Sequence, residues 1–380
     1  MTDVHATLAP SSAGQWVHCP ASVRLQQQYP EPDGDNEAAD EGTVAHAQLA
    51  RMVKGDIFPD LTGINTPVSG YTGEMKQMLP PIAKAIRDWT AADASVWKGK
   101  RYVETWIDIP GIHAGCGGTP DFAALNHETR TARIDDLKWG YGIVQDYENW
   151  QLIAYAAGVS DLIEHELASW SFELWIHQPR VWHREGTSRV WKLTYPQLAG
   201  YIRQLRGAAE EAMGNNPQAN PGPYCKHCTA RHACKALRAA GLAAYEQASD
   251  ATPLDLPPMA LGRELAILSR AEELLESRLS GLRAQVEALL RRGEAVPGWA
   301  MEHKPGAKAW TKPVAEVLAL GSALGVSLAK LPEPITPTQA TNLGIPVELI
   351  DAYAARKPAA AKLVQVTLAD AAKAFGGNKE

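Results

Sequence analysis

Along the chain, apolar residues first fall into a helical rhythm in GTVAHAQLARMV, whose spacing predicts a helix beginning near Thr43. A second helix is expected over residues 74–91. From Arg101 the texture changes. RYVETWIDIP, TPDFAALN and TARIDDLKWG are short runs rich in β-branched and aromatic residues, separated by the turn-like GIHAGCGG and HETR, and they predict an antiparallel meander. DYENWQLIAYAA returns to helical spacing, with Trp150, Ile153, Ala154 and Ala157 on one stripe. ELASWSFELWIHQP and SRVWKLT read as strands, and YPQLAGYIRQLRGAAEEAMG as a helix. The alternation predicts an α/β unit, a mixed sheet flanked by helices. ASDATPLDLPP, with its prolines and small polar residues, marks a linker. Beyond it, residues 259–292 predict a long charged, amphipathic helix packed against something, VPGWAMEHKPGAKAWTK a hairpin, and the remainder short helices divided by Pro and Gly. Two domains are therefore expected: residues 1–248, and a mostly helical C-terminal extension over 249–380.

Composition changes this picture little. The 380 residues, 45% hydrophobic and 21% charged, are those of an ordinary globular chain large enough to bury a core without staples. The first twenty residues lack the basic start and apolar run of a signal peptide, so a cytosolic protein with reduced cysteines is expected. Val317 to Ala329, the longest charge-free apolar stretch, falls short of the roughly 20 residues a bilayer requires, and no membrane association is expected. The net charge of −6 argues against coating nucleic acid through bulk positive charge. Six acids crowd EPDGDNEAADE, which reads as a solvated loop, while Arg180, Arg184, Arg189, Lys192, Arg203 and Arg206 form a basic stretch suited to phosphate.

The chemistry concentrates in the meander. Asp121 opens one strand, and Asp136-Leu137-Lys138 sits in the next. Strand side chains alternate, so Asp136 and Lys138 share a face and Asp135 points away. A carboxylate from each of two adjacent strands with an ammonium beside them is the equipment of metal-assisted phosphodiester hydrolysis, in which carboxylate oxygens hold Mg²⁺ or Mn²⁺ and the lysine orients the water. At helical i, i+4 spacing, Gln151 and Tyr155 share one face, able to meet a DNA backbone or to order the carboxylates. Trp139, beside Lys138, offers a surface for base stacking, although most of the twelve tryptophans read as core.

Pro120-Asp121 followed by Asp136-x-Lys138 resembles the PD-(D/E)XK nuclease core, in particular its RecB-like branch. Gly42-Thr43-Val44-Ala45-His46 resembles the upstream G-T-x-x-H helix of those nucleases, and Gln151 to Tyr155 their Q-x-x-x-Y motif. The resemblance implies a restriction-endonuclease-like core, with His46, Asp121, Asp136 and the Leu137 carbonyl as metal ligands, and Asp121, Asp136, Lys138, Gln151 and Tyr155 as the catalytic group. It implies a deoxyribonuclease, more specifically an exonuclease on single-stranded DNA or DNA ends. Together with LAPSSAGQWVHCPASVRL and GWAMEHKPGAKAWTK, these segments are similar to a phage and prophage family. That similarity implies a role in phage replication or recombination, with the proteins of those processes as partners, inside a bacterial host.

Cys225, Cys228 and Cys234 form a compact triad, with Cys19 far upstream, and four thiolates suit a tetrahedral zinc or iron–sulfur site. His227 or His232 in place of one thiolate would also satisfy zinc. One N-terminal and three C-terminal cysteines around such a core resemble the iron–sulfur nucleases, which implies a [4Fe–4S] cluster clasping the start of the chain to the end of the nuclease domain. Cys116 falls outside that pattern and reads as a plain buried thiol. Two other classes compete with the nuclease: a catalytically silent nuclease-fold scaffold that binds DNA, and a zinc-ribbon nucleic-acid-binding protein whose carboxylates are incidental.

Overall fold

A computed structural model of the chain describes residues 6–30, 37–55, 71–91, 100–164, 166–249, 255–301 and 319. The chain divides into two compact units, Met1–Val314 and Ala315–Glu380. In the first, short α1 (Ala13–Trp16) and α2 (Ser22–Gln28) precede α3 (Glu37–Lys54) and α4 (Gly73–Ala91). Strands β1 (Lys100–Val103), β2 (Ile107–Asp108), β3 (Gly117–Gly118), β4 (Phe122–Asn126) and β5 (Thr131–Leu137) follow. Then come α5 (Trp150–Asp161), β6 (Ser171–His177), β7 (Ser188–Thr194), α6 (Tyr195–Met213), α7 (Lys235–Ser249) and α8 (Pro258–Arg291).

The main sheet has the order β1-β4-β5-β6-β7, antiparallel throughout except for the parallel β5/β6 pair that α5 bridges. The expected meander is thus real for β1, β4 and β5, but the first run breaks in two. At Glu104 the backbone turns left-handed (φ 48°), and β2 leaves the sheet to pair with β3. The close approach needs glycine: a Cβ on Gly117 would lie 2.8 Å from the Trp106 ring.

Helices α5 and α6 cover one face of the sheet, over Leu125, Ile134, Phe172 and Leu174, while α3 and α4 cover the other, over Phe122, Ala124, Leu137 and Trp139. Helix α5 is apolar on almost every side and buried from Leu152 to Ser160, as a helix wedged between layers must be. Asn149 caps it by accepting from the Leu152 amide at 3.1 Å. Helix α6 begins where the Thr194 amide donates to Gln197 Oε1 at 2.8 Å.

Helix α3 starts at Glu37, six residues before the expected position, and takes in half of the acidic segment read as a loop. Acids are favoured in a first helical turn, where they face unpaired amides. Glu41 is moreover tied to Arg180. The other three acids of that segment, and the stretches beyond residue 301 read as a hairpin and short helices, lie outside the described residues, apart from Ala319. The boundary drawn at 248/249 falls inside the first unit, because α8 packs on α7 and on the turns Pro223–His227 and Thr229–His232 through Ala271, Leu274, Ser277 and Gly281. Among the described residues, no helix is long and apolar enough to cross a membrane.

Candidate metal centre and thiol site

Asp121 precedes β4 by one residue, and the helix of the opposite layer brings His46 to it: Nδ1 lies 2.8 Å from Asp121 Oδ1. The other carboxylate oxygen accepts from the Leu137 amide at 2.6 Å. Leu137 therefore enters the site through its N–H, where its carbonyl was the expected ligand. Glu104 completes a cluster with His46 and Asp121 in which one donor atom from each lies within 4.8 Å of the others. The three line an open groove of about 560 Å³ with Ala39, Gly42, Thr43 and Ala47. Glu104 was not anticipated. In sequence it is one acid in a strand-like run, and only the left-handed turn that ends β1 delivers it to the groove.

Asp136 and Lys138 extend toward α5, as strand alternation requires. Lys138 Nζ lies 3.2 Å from Asp136 Oδ1 and 2.8 Å from Gln151 Oε1, and Gln151 Nε2 donates to Asp136 Oδ1 at 2.8 Å. Gln151 thus locks acid and base into one triangle, one of the two roles open to it. Asp136 Oδ2 is buried and lies 2.9 Å from Lys138 Nζ, but at an angle that makes an ion pair without a hydrogen bond. Tyr155, on the same helix face, donates to the Thr119 carbonyl at 3.0 Å and so fastens the backbone two residues before Asp121.

Burial alone would favour neutral forms here. At His46 the Asp121 carboxylate outweighs it, by charge and by hydrogen bond, and lifts the imidazolium pKa to about 9. Asp121, deeply buried, is nonetheless held below the carboxylate range by His46 and the Leu137 amide. Glu104 opens to the groove on one side, yet desolvation by its walls and the neighbouring Asp121 push it up to about 7. Burial raises Asp136, with Asp121 adding to the shift against the opposing Lys138. The clustered donors, the Glu104 and Asp121 carboxylates with the His46 imidazole, fit a hard divalent cation of the Mg²⁺ or Mn²⁺ type, while Asp136 stands outside that cluster.

Two surface roles held only as secondary readings find no support in the fold. Trp139 is 3% exposed, and the Arg180 guanidinium stacks on it at 4.3 Å, so no base can reach its ring. The basic stretch is largely spent on the fold: Arg180 pairs with Glu41 and Glu74, Arg189 with Asp146, Lys192 with Glu173, and Arg206 binds the Gly111 carbonyl. Arg184 stays exposed beside its neighbour Glu185.

The second site lies where the chain's beginning meets the segment after α6. The Ala21 amide donates to the Gln218 carbonyl at 3.0 Å, and Arg24 to the Gly214 carbonyl at 2.7 Å. Cys19, Cys225, Cys228 and Cys234 line one small pocket there, and neither His227 nor His232 is among its lining residues. Burial raises the thiols of Cys19, Cys225 and Cys228, the last to about 11, and the cysteines' mutual repulsion adds to it. Four soft donors lining one pocket, with thiols raised by burial, suit a thiolate-bound metal or cluster whose charge would deprotonate them. Cys116 lies elsewhere, buried beside Leu8, with its thiol pushed up to about 12 by burial.

Fold and sites together define a mixed α/β protein with a carboxylate–imidazole cleft on its sheet and a separate four-cysteine site. The chain belongs to the family described as a protein of unknown function, DUF2800, whose family model matches residues 5–343.

Proposed function

We propose that the protein is a metal-dependent deoxyribonuclease of the PD-(D/E)XK superfamily, in its RecB-like branch, acting as an exonuclease on single-stranded DNA or DNA ends during phage replication or recombination. The observation that carries this reading is the buried Asp136–Lys138–Gln151 triangle beside the His46–Asp121 pair, with Asp136 Oδ2 accepting no hydrogen bond. Lys138 pairs with that oxygen by charge at 2.9 Å, and the missing hydrogen bond leaves it a lone pair suited to a cation. His46, Asp121 and Asp136 would hold the cation, with Glu104 as an added ligand. A divalent cation there supplies neutralisation of phosphate charge and acidification of a bound water.

The chain's own residues do the rest. Lys138, kept in place by Asp136 and Gln151, presents an ammonium that orients a water and favours its deprotonation. The Leu137 amide and His46 hold the Asp121 carboxylate on its two oxygens, and the Tyr155 hydroxyl fastens the backbone two residues before it, so the acid is placed before any ligand arrives. The four cysteines would carry a [4Fe–4S] cluster with a structural role, and zinc is the competitor.

End-labelled single- and double-stranded DNA incubated with Mn²⁺, with and without EDTA, tests the activity. Metal-dependent shortening from an end, lost in Asp136→Asn and Lys138→Ala, is expected. DNA binding with no products under any metal would overturn the nuclease in favour of a scaffold. Metal analysis of anaerobically purified protein tests the thiol site: iron with acid-labile sulfide is expected, and stoichiometric zinc would replace the cluster.

A further inference from the structure

Helix α8 presents two faces with different fates. Its inner face, through Ala271, Leu274, Ser277 and Gly281, is committed to the cysteine-bearing turns, so closely that a Cβ on Gly281 would lie 2.5 Å from Arg231 Cγ and 2.9 Å from the His232 amide. Its outer face carries Leu261, Leu265, Leu268, Leu275, Leu279 and Leu282, each 38–56% exposed. These alternate at intervals of four and three residues and continue into Val286 and Leu289, with Glu272 the single polar member. That is a heptad stripe, sustained over a helix of 34 residues, roughly 50 Å long. Isolated exposed leucines need no explanation, but an unbroken apolar seam of this length marks an interaction surface.

We infer that this seam pairs with the same seam of a second copy of the chain, antiparallel, to form a two-stranded coiled coil. The charges choose the orientation. A parallel, in-register pair would set Glu272 against the partner's Glu272, and Arg278 beside the partner's Arg283. An antiparallel pair avoids both and is self-complementary about a two-fold axis. Leu261 meets the partner's Val286, Leu265 the partner's Leu282, and Leu268 the partner's Leu279, with Glu272 opposite the partner's Leu275. The two Glu272 carboxylates then lie in different layers, and the polar position fixes the register at some cost in stability. The inner face keeps its grip on the cysteine site, so pairing requires no rearrangement of that contact.

Light scattering on full-length protein at micromolar concentration tests the pairing. Twice the chain mass is expected for the wild type, and the single-chain mass for Leu268→Glu with Leu279→Glu, whose exposed positions leave circular dichroism unchanged. A wild-type monomer, as would result if residues beyond 301 covered the seam, overturns the proposal, as does a dimer that survives both substitutions. Orientation is read by oxidising a mixture of Leu265→Cys and Leu282→Cys proteins. Disulfides only between the two variants are expected, and disulfides within each variant alone would overturn the antiparallel pairing.

Discussion

Magnesium binding to the His46–Asp121 cleft should release protons, and the number released should change at two pH values. At pH 7 an imidazolium with a pKa of about 9 is almost fully protonated, and a cation must displace that proton before it can take Nδ1. The displacement weakens apparent affinity by about a hundredfold at pH 7, or about 2.7 kcal/mol at 1.36 kcal/mol per unit. Affinity should therefore rise about tenfold per pH unit from 7 to 9 and level off above. Below pH 7 Glu104, pushed up to about 7, adds a second proton and steepens the dependence. Isothermal titration calorimetry with Mg²⁺ in buffers of different ionisation enthalpy counts the protons directly, and His46→Gln should flatten the profile between 7 and 9. A wild-type affinity unchanged over that interval, with no proton released, would refute the assignment of His46 as a ligand.

The metal-free protein should show the opposite trend. His46 has its folded-state value raised above the unfolded 6.5, so its pairing with Asp121 stabilises fully below pH 6.5 and is lost as pH rises through about 9. The imidazole is 32% exposed, and solvent screening reduces the contribution to about 1–2 kcal/mol. The melting temperature in EDTA should fall between pH 7 and 9 while the increment produced by Mg²⁺ grows.

Asp136→Asn should abolish cleavage yet raise the EDTA melting temperature, by a gain of about 1 kcal/mol, because it removes a carboxylate whose charge burial disfavours; a lower melting temperature in scanning calorimetry would count against the functional reading of that acid. Asp135→Asn should destabilise by about 3–5 kcal/mol in urea unfolding, since it strands the buried Arg133 guanidinium, and a loss under 1 kcal/mol would mean that water enters that layer. Gly281→Val should cost about 1–3 kcal/mol through its clash with the Arg231–His232 backbone, and an unchanged unfolding midpoint would show that α8 can lift off the cysteine-bearing turns.

Much of this organisation was legible because it rests on short-range rules. Alternation along β5 assigned Asp136 and Lys138 to one face and Asp135 to the other, and the i, i+4 spacing of Gln151 and Tyr155 put both on one helix face, which the structure turns toward the sheet. The spacing of Cys225, Cys228 and Cys234 made the triad legible, and the resemblance brought the distant Cys19 to the same pocket. What escaped depends on distant partners or on single backbone angles. Glu104 reaches the groove because one residue turns left-handed, which an L-residue adopts only under tertiary constraint. Charge counts also do not reveal that Arg180 of the basic stretch meets Glu41 and Glu74, more than a hundred residues away. Trp139 is core, as most of the tryptophans read, and the arginine that covers it comes from another strand's end.

Asp135 and Asp136 make the distinction between a structural and a working carboxylate concrete. They are adjacent in β5, both are almost completely buried, and both pay desolvation. Asp135 accepts from Arg133 through two nitrogens, at 2.7 and 2.8 Å, and lies 2.7 Å from His177 Nε2, while His177 Nδ1 reaches Ser188 at 2.8 Å. Trp175 closes over the Arg133 guanidinium at 4.6 Å. With both oxygens bonded and the Arg133 charge beside it outweighing burial, its pKa falls below the ordinary value. Asp136 receives hydrogen bonds on one oxygen alone, and its pKa rises. Burial is common to both, so burial cannot be what marks the functional acid. What differs is how each is satisfied: Arg133 and His177 hold Asp135, whereas Asp136 takes hydrogen bonds on one oxygen and only the Lys138 charge on the other, which supports the role proposed for Asp136 at a cation.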